Sequence, residues 1–530
     1  MSESHSVAAQ ASPRLDVRLV PAAVTGWLVT SAGIVWSAGA VLASLCVGVA
    51  ALSGVLLWRG ERRLDTTSRL RTVSFALVAI GIVGAGFGFA IALRVDAVRH
   101  HPISAAFGRA VQVTVTPSES ALAVGGSRLM FRATLQRLGS DQSSGRVVVF
   151  APARDFGGLM VGQPVQFNAR ITRPTRRDLT VAALNARGAP IVGRVGAAHR
   201  AAHAVRGGFA AAAREVLPAP QAAMLPALVL GDTSMVTAAT SREFRAAGLT
   251  HLTAVSGANV TIVCGAVLFS ARLVGPRAAV GLAGVALVVF VIVVQPTASV
   301  LRAAVMGAIT LLGILSSRRR QALPALSTAV LVLLIAAPQL AVDVGFALSV
   351  LATAALVVIA PVWSRRMLAH GWPRPLADAV AIAWAAQLVT APLVAGVSGR
   401  VSLVATAANL AVAAVIAPIT VLGSAAAAVS LLWPAGAHLL IRFTGPELWW
   451  VLGVAHWAAA VPAATVPVPA GLPGVVLVGA TAVLAVVLWR WRWFRAVVGV
   501  ATVCLVAWSV SGLSVVQSAL LSGVRDTIVR

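Results

Sequence analysis

Residues 248–260 read GLTHLTAVSGANV and join an arginine-rich polar stretch to a long series of apolar segments. His251, Ser256 and Asn259 lie at the mouth of an apolar run, where lipid offers no hydrogen-bond partners, so each needs an internal partner or water. Four more polar points follow in apolar surroundings: Arg302, Asp343, Gln387 and Asn409. Together these seven read as the lining of a membrane pathway. A nucleophile reading of His251 and Ser256 is weaker. Residues five apart on a helix are separated by well over a hundred degrees, which keeps His251 from serving Ser256 as a base. The remote His456 lies in VAHWAA, which lacks a Gly-x-x-x-Gly packing pattern. No catalytic residue is assigned and no enzymatic activity is expected.

Each pathway residue has a structural alternative. Arg302 either snorkels to the nearby interface or faces an aqueous channel that carries anions. Asp343, near the same outer end, is placed to pair with it and hold two spans together. Gln387 and Asn409 lie deeper, where hydrogen bonding between helices is the default role. Pro392 and Pro418 add broken helices, tolerated where backbone lines a cavity.

Metal and nucleotide chemistry find no support. The nine histidines are scattered, and HExxH and GxxxxGK[ST] are absent. His199 and His203 stand at i,i+4 but have no third ligand beside them. Cys46, Cys264 and Cys504 are isolated in apolar runs, without ligand spacing. No metal and no cofactor is expected, and without a nucleotide-binding loop the chain cannot power transport by itself.

The elements that position these residues belong to a membrane protein. Of the 530 residues, 58% are hydrophobic and 11% charged, with a mean hydropathy of +0.90; a soluble chain carries about a quarter charged residues. Uncharged runs such as 278–294, 344–362 and 379–397 are long enough to cross a bilayer. The first twenty residues are polar and lack the apolar core of a cleavable signal. The net charge of +26 is carried by arginine alone, since the sequence contains no lysine. The missing lysine reads as codon bias; the excess of positive charge does not.

Residues 21–58 suit a hairpin of two spans with Gly39 near its middle, and a third span follows from about 73 to 93. Arg59, Arg62, Arg63, Arg69 and Arg71 mark the intervening loop as cytoplasmic, which puts the N-terminus inside and the segment after Leu93 outside. Later spans are expected near 252–271, 278–295, 298–316, 323–340, 343–362, 377–397, 401–418, 419–433, 471–489 and 495–515. Pro418 leaves 401–433 as two short spans or one kinked one. Residues 440–460, with Trp449, Trp450, His456 and Trp457, suit an interfacial helix. Arg272 and Arg277, Arg318–Arg320, Arg365 and Arg366, and Arg490, Arg492 and Arg495 then all fall on the cytoplasmic side. The fold expected is a polytopic α-helical membrane protein of about 11–13 spans with a small extracytoplasmic OB-like β-barrel.

That barrel is read from 105–195. Period-2 alternation occurs in 111–116, 129–138, 145–150, 164–172 and 179–184, punctuated by glycine and serine pairs. Twelve arginines and four acids give this segment a charge of +8. Long translocated domains escape the positive-inside bias, so the charge points to a polyanion. Arg128, Arg132, Arg170, Arg173, Arg176 and Arg177 are the expected phosphate contacts. Phe131, Phe150, Phe156 and Phe167 suit base stacking or, more commonly, barrel core.

The stretch GDTSMVTAATSREFRAAGLTHLTAVSGANVTIV (231–263) closely resembles the hallmark of the ComEC competence proteins. The likeness continues through SVLRAAVMG (299–307), PQLAVDVGFALSVLAT (338–353), AQLVTAPL (386–393) and the Asn409-to-Pro418 stretch. GQPVQFNARI (162–171) is similar to the family's extracytoplasmic domain. Asn259 stands where many members have histidine. A C-terminal metallo-β-lactamase-like domain common in the family has no counterpart before Arg530, so a short form is expected. The resemblance implies an inner-membrane channel for single-stranded DNA during transformation. Its partners would be single-stranded DNA, the lipid bilayer, a separate nuclease and a cytoplasmic DNA-pulling motor, with homo-oligomerisation open. The implied location is the bacterial inner (cell) membrane; the loop charges put the N-terminus in the cytoplasm, and about thirteen spans then leave the C-terminus extracytoplasmic. The alternative is a transporter or envelope-assembly protein on the same scaffold, moving another anionic polymer or a lipid-linked substrate. Expected boundaries are a tail at 1–20, N-terminal helices at 21–95, the OB-like domain at 105–195, an interfacial amphipathic helix at 197–218, the channel domain at 225–515 and a tail at 516–530.

Overall fold

The computed structural model describes residues 16–61, 68–315, 322–493, 496, 497, 499 and 500. Most of the expected N-terminal tail, Arg62, Arg63, Arg318–Arg320, Arg495, Cys504, most of the last expected span and the C-terminal tail lie outside the described residues. Helices α1 (Val20–Trp36), α2 (Gly39–Glu61) and α3 (Ser68–Arg99) come first. Strands β1 (Ala110–Pro117), β2 (Leu122–Ala123), β3 (Arg128–Leu138) and β4 (Asp141–Pro152) follow, then the single turn α4 (Ala153–Phe156), β5 (Val165–Thr172) and β6 (Ala182–Val192). Helices α5 (Ala197–Val216), α6 (Ala219–Leu230), α7 (Ala238–Ala246), α8 (Gly257–Ser270), α9 (Pro276–Val294), α10 (Ala298–Leu315) and α11 (Ala322–Ala336) continue the chain. Next are α12 (Val344–Val358), α13 (Ala360–Ala369), α14 (Arg374–Ser398), β7 (Arg400–Ser402), α15 (Ala405–Val429), α16 (Pro434–Phe443), α17 (Gly445–Ala460), β8 (Thr465–Pro467) and α18 (Leu472–Leu488).

Among the described residues, six stretches are long and apolar enough to cross a bilayer: Gly39–Arg59, Val73–Ala106, Pro276–Val294, Val344–Ala369, Arg374–Ser398 and Ala405–Val429. Six shorter apolar helices accompany them: Val20–Trp36, Ala219–Leu230, Gly257–Leu273, Ala298–Ile314, Ala322–Ala336 and Leu472–Leu488. Their outward faces carry bare Leu and Val, among them Leu52, Val285 and Val483, a surface that suits hydrocarbon and not water. This is a polytopic helical membrane protein with a small β-barrel. The chain forms two compact units, Met1–Gly208 with Ser256–Val350, and Phe209–Val255 with Leu351–Arg530.

In the first unit α2 and α3 pack through small residues. A side chain at Gly84 would meet Cys46 Sγ at 2.5 Å, and one at Gly88 would meet Ala43 N and Gly39 O at 2.9 Å. Without a hydrophobic effect between spans, such backbone approach is what holds them together. Strands β1, β3, β4, β6 and β5 close a barrel in that order; every pair is antiparallel except β4–β6. This closure is that of an OB-like barrel. Val113, Val115, Phe131, Ala133, Leu135, Val147, Val149, Phe167, Ala169 and Ile171 point inward at every second position.

The last strand differs from its expected 179–184. Leu179 turns the chain at φ 65° and Asp178 Oδ1 accepts from Thr180 N, so β6 starts at Ala182 and runs to Val192. A bulge opposite Gln166–Asn168 absorbs Gly188 and Pro190. The barrel is fastened to the helix ends within this unit. Arg177 Nη1 donates to Val35 O (2.8 Å) at the end of α1, and Ser120 Oγ donates to Gln295 Oε1 (2.8 Å) just after α9. Arg272 and Arg277 lie at the other end of α8 and α9, away from the barrel. Arg206 on α5 donates to Val293 O (3.2 Å), placing a cation at the negative end of α9. His199 packs its ring on Gly162 of the barrel.

In the second unit α15 runs unbroken through Pro418, so 401–433 is one span followed by α16 and not two short ones. The helix α6 packs on α15 and α17, with Val229 against Gly423. On α17, Leu448, Val451, Val454 and Ala455 are buried at helical spacing while Trp449 and Trp457 are exposed. Trp450 Nε1 donates to Ala411 O (2.9 Å). Strands β7 and β8 pair beside this group.

Candidate functional site

The boundary between the compact units falls between Val255 and Ser256, inside the GLTHLTAVSGANV peptide. On the first-unit side α8 begins at Gly257, with Ser256 as its extended N-cap. Leu252 belongs to a separate 3-10 turn, Thr250–Leu252, and so shares no helix face with Ser256 and Asn259. Ser256 and Asn259 nevertheless meet: Ser256 Oγ donates to Asn259 Oδ1 (3.3 Å), and Asn259 is 4% exposed.

Arg302 turns inward and does not snorkel. It is 6% exposed, its Nε donates to Ser349 Oγ (2.9 Å) and its Nη1 reaches Met306 Sδ (3.3 Å). The expected ion pair with Asp343 is not formed. Asp343 Oδ1 instead accepts from Phe346 N (2.8 Å) and caps α12, whose first N–H groups have no partner within the helix.

On the second-unit side His251 sits exposed in the 3-10 turn. Gly248, at φ 71°, leaves no room for a side chain against Ala405, and Ser402 Oγ donates to Ala246 O (2.6 Å). These contacts set the start of the peptide on the first turn of α15, one turn ahead of Asn409. Asn409 Nδ2 donates to Ala405 O (2.8 Å), within its own helix. Gln387 stands mid-way along α14 and makes no side-chain hydrogen bond among the described residues. His456 Nδ1 is engaged with Glu243 Oε1 (3.0 Å), which fixes its ring against α7.

The barrel presents a second arrangement. Register pairs Met130 with Phe150, Phe150 with Asn185 and Asn185 with Arg170, giving one row across β3, β4, β6 and β5 on the outer face. Arg128 lies over the Phe150 ring at 5.9 Å and donates to Asn185 Oδ1 (3.2 Å). Phe131, Phe156 and Phe167 are core, so of the four phenylalanines only Phe150 offers a ring outside. Arg170 and Arg176 are exposed and unpaired among the described residues, and Arg173 sits over Phe107 at 5.8 Å. Arg177 is spent on Val35, and Arg132 pairs with Glu119 (3.1 Å).

Arg146, two residues from Arg132 across the ladder, went unnoticed in the sequence. Its Nη1 is buried without a hydrogen-bond partner. Burial, then the neighbouring Arg132 charge, push its guanidinium below the ordinary arginine range. Burial also works against Arg132, but Glu119 outweighs it and raises that group. Asn185 and the outward turn of Phe150 were also missed. The signal was parity, with 147, 149 and 151 inward and 150 outward.

Residues 228–493, half of the chain, match the family described as Competence protein. The chain belongs to the competence protein family. No curated protein and no solved structure matches it. Family membership, with the apolar helices, makes it a multi-pass membrane protein with a role in DNA uptake. The competence segment contains all seven polar groups singled out from the sequence, whereas the barrel lies ahead of it.

Proposed function

We propose that this competence protein is the inner-membrane channel through which a single strand of incoming DNA crosses. One observation supports this reading most. An arginine-rich barrel is fastened to the ends of α1 and α9, and the same compact unit holds on α10 a buried arginine with no acidic partner among the described residues. Such a combination favours a polyanion over a neutral or cationic cargo. The outer row of Phe150, Asn185, Arg128 and Arg170 meets the strand by stacking and phosphate contact, joined by Arg132, Arg173 and Arg176. Ser256, Asn259, Arg302 and Asp343 in the first unit, and His251, Gln387 and Asn409 in the second, supply polar surface to the passing strand. A separate nuclease degrades the other strand and a cytoplasmic motor pulls.

The barrel is extracytoplasmic and the N-terminus cytoplasmic in this reading, since Arg272 and Arg277 lie at the opposite ends of the helices that carry it. Reporter fusions at Ser143 and Arg319 are expected in opposite compartments; the same compartment for both overturns the orientation. The function is tested by deleting the gene and following labelled DNA. Loss of entry into the cytoplasm, with surface binding retained and entry restored by the intact gene, is the expected result. Undiminished entry would move the assignment to another anionic polymer.

A further inference from the structure

Arg302 Nη2 has no hydrogen-bond partner among the described residues, although Nε is held by Ser349 and Nη1 by the weak acceptor Met306 Sδ. Nη2 lies 3.0 Å from where a Cβ on Gly257 would stand, and Gly257 is the first residue of the 14-residue helix α8. Ser256 makes no side-chain cap there, because its hydroxyl is turned to Asn259. Two positive poles therefore face each other in apolar surroundings: a guanidinium and a helix N-terminus equivalent to about half a charge. Neither has an acidic side chain among the described residues to balance it. An oxyanion seated between them would satisfy both, taking the free edge of the guanidinium and the first N–H groups of α8.

We propose that Arg302 and the N-terminus of α8 bind one phosphodiester group. This rests on the reading of DNA passage, and it names the atoms that meet the strand. The site is enclosed by α8, α10 and α12: Ser349 Oγ on α12, which accepts from Arg302 Nε, donates to Ser299 Oγ on α10 (3.4 Å). A group 6% exposed among three helices faces the bundle and not the surrounding lipid. Gly257 is required because a methyl group there would occupy the edge of the guanidinium that the phosphate takes.

The test uses the full chain with its three native cysteines replaced, in neutral phosphatidylcholine nanodiscs, carrying Ser299→Cys. An anionic methanethiosulfonate is expected to modify this thiol at least about tenfold faster than a cationic one, as a focused positive potential requires. The dinucleotide dithymidine monophosphate is expected to protect it. Arg302→Met removes both effects, Arg302→Lys keeps the charge preference with weaker protection, and Gly257→Ala weakens protection without altering any charge. If Arg302→Met fails to insert, the other two variants carry the test. Equal rates for the two reagents, a thiol that reacts with neither, or protection that survives Arg302→Met overturns the site. Protection seen only when phosphatidylglycerol is added, and not with the dinucleotide, assigns the site to a lipid headgroup and also overturns it. An Arg302-dependent phosphate site in a chain whose deletion leaves DNA entry intact would sink the transport reading alone. Loss of entry on deletion without any charge preference would sink the site alone.

Discussion

Replacing Asn259 by leucine is expected to cut DNA entry at least about tenfold, the effect of ~1.4 kcal/mol on a transport barrier, while the protein stays inserted and folded. Asn259 is 4% exposed and accepts from Ser256 Oγ in the first turn of α8. In water-soluble cores, removing such a group leaves an orphaned partner and costs about 1–3 kcal/mol. The Ser256 hydroxyl loses this partner at a half-buried helix start, and side-chain hydrogen bonds in membrane helices average only about 0.6 kcal/mol each. Stability should therefore barely move while a polar surface disappears. Thermal denaturation in detergent and uptake of labelled DNA separate the two effects. Cysteine at Ser256 or Asn259, with the native cysteines removed, is expected to react with a membrane-impermeant thiol reagent. Wild-type uptake by Asn259→Leu, with both cysteines protected, would show that the pair only secures the start of α8.

Phe150→Ala is expected to weaken single-stranded DNA binding by the full-length protein by about 5- to 150-fold, the effect of losing one base–aromatic stack worth ~1–3 kcal/mol. The ring lies outside the barrel, so its removal leaves no cavity in the core. Phe167→Ala is the contrasting control: it empties a site 3% exposed and should cost about 3–5 kcal/mol of stability instead. Arg128→Ser and Arg170→Ser are expected to lower affinity at low salt and to flatten its salt dependence by about 0.7 in log–log slope for each phosphate no longer neutralised. Arg177→Ser should leave that slope unchanged, because this side chain holds Val35 O at the end of α1. Titrations of a fluorescent oligothymidylate across salt concentrations measure all four. Unaltered affinity in Phe150→Ala, with the slope unchanged in both arginine variants, would remove the barrel face from the DNA path.

Much of the architecture was legible along the chain because it depends on local composition. The 21–58 run became α1 and α2, split at Ser37–Ala38, and alternation found the five closing strands of the barrel. Where an element's limits depend on its neighbour, the reading failed. The strand β6 runs through Gly188 and Pro190 because β5 lies beside it, and the bulge that permits this has no local signature. The run Val147-Val148-Val149-Phe150 is apolar throughout, so period 2 could not say which residues face the core; pairing with β3 and β6 decides that.

The same division governs the membrane residues. Sequence alone determined that His251, Ser256, Asn259, Arg302, Asp343, Gln387 and Asn409 are polar groups stranded in apolar surroundings, since hydropathy is a property of the segment itself. It also determined the family, because the competence blocks keep their order and spacing. Only the tertiary structure decided that Arg302 turns to Ser349, that Asp343 caps α12, and that α8 begins at Gly257 beside that guanidinium. A polar side chain in lipid must find a partner, but which partner it finds is set by the helix packed opposite.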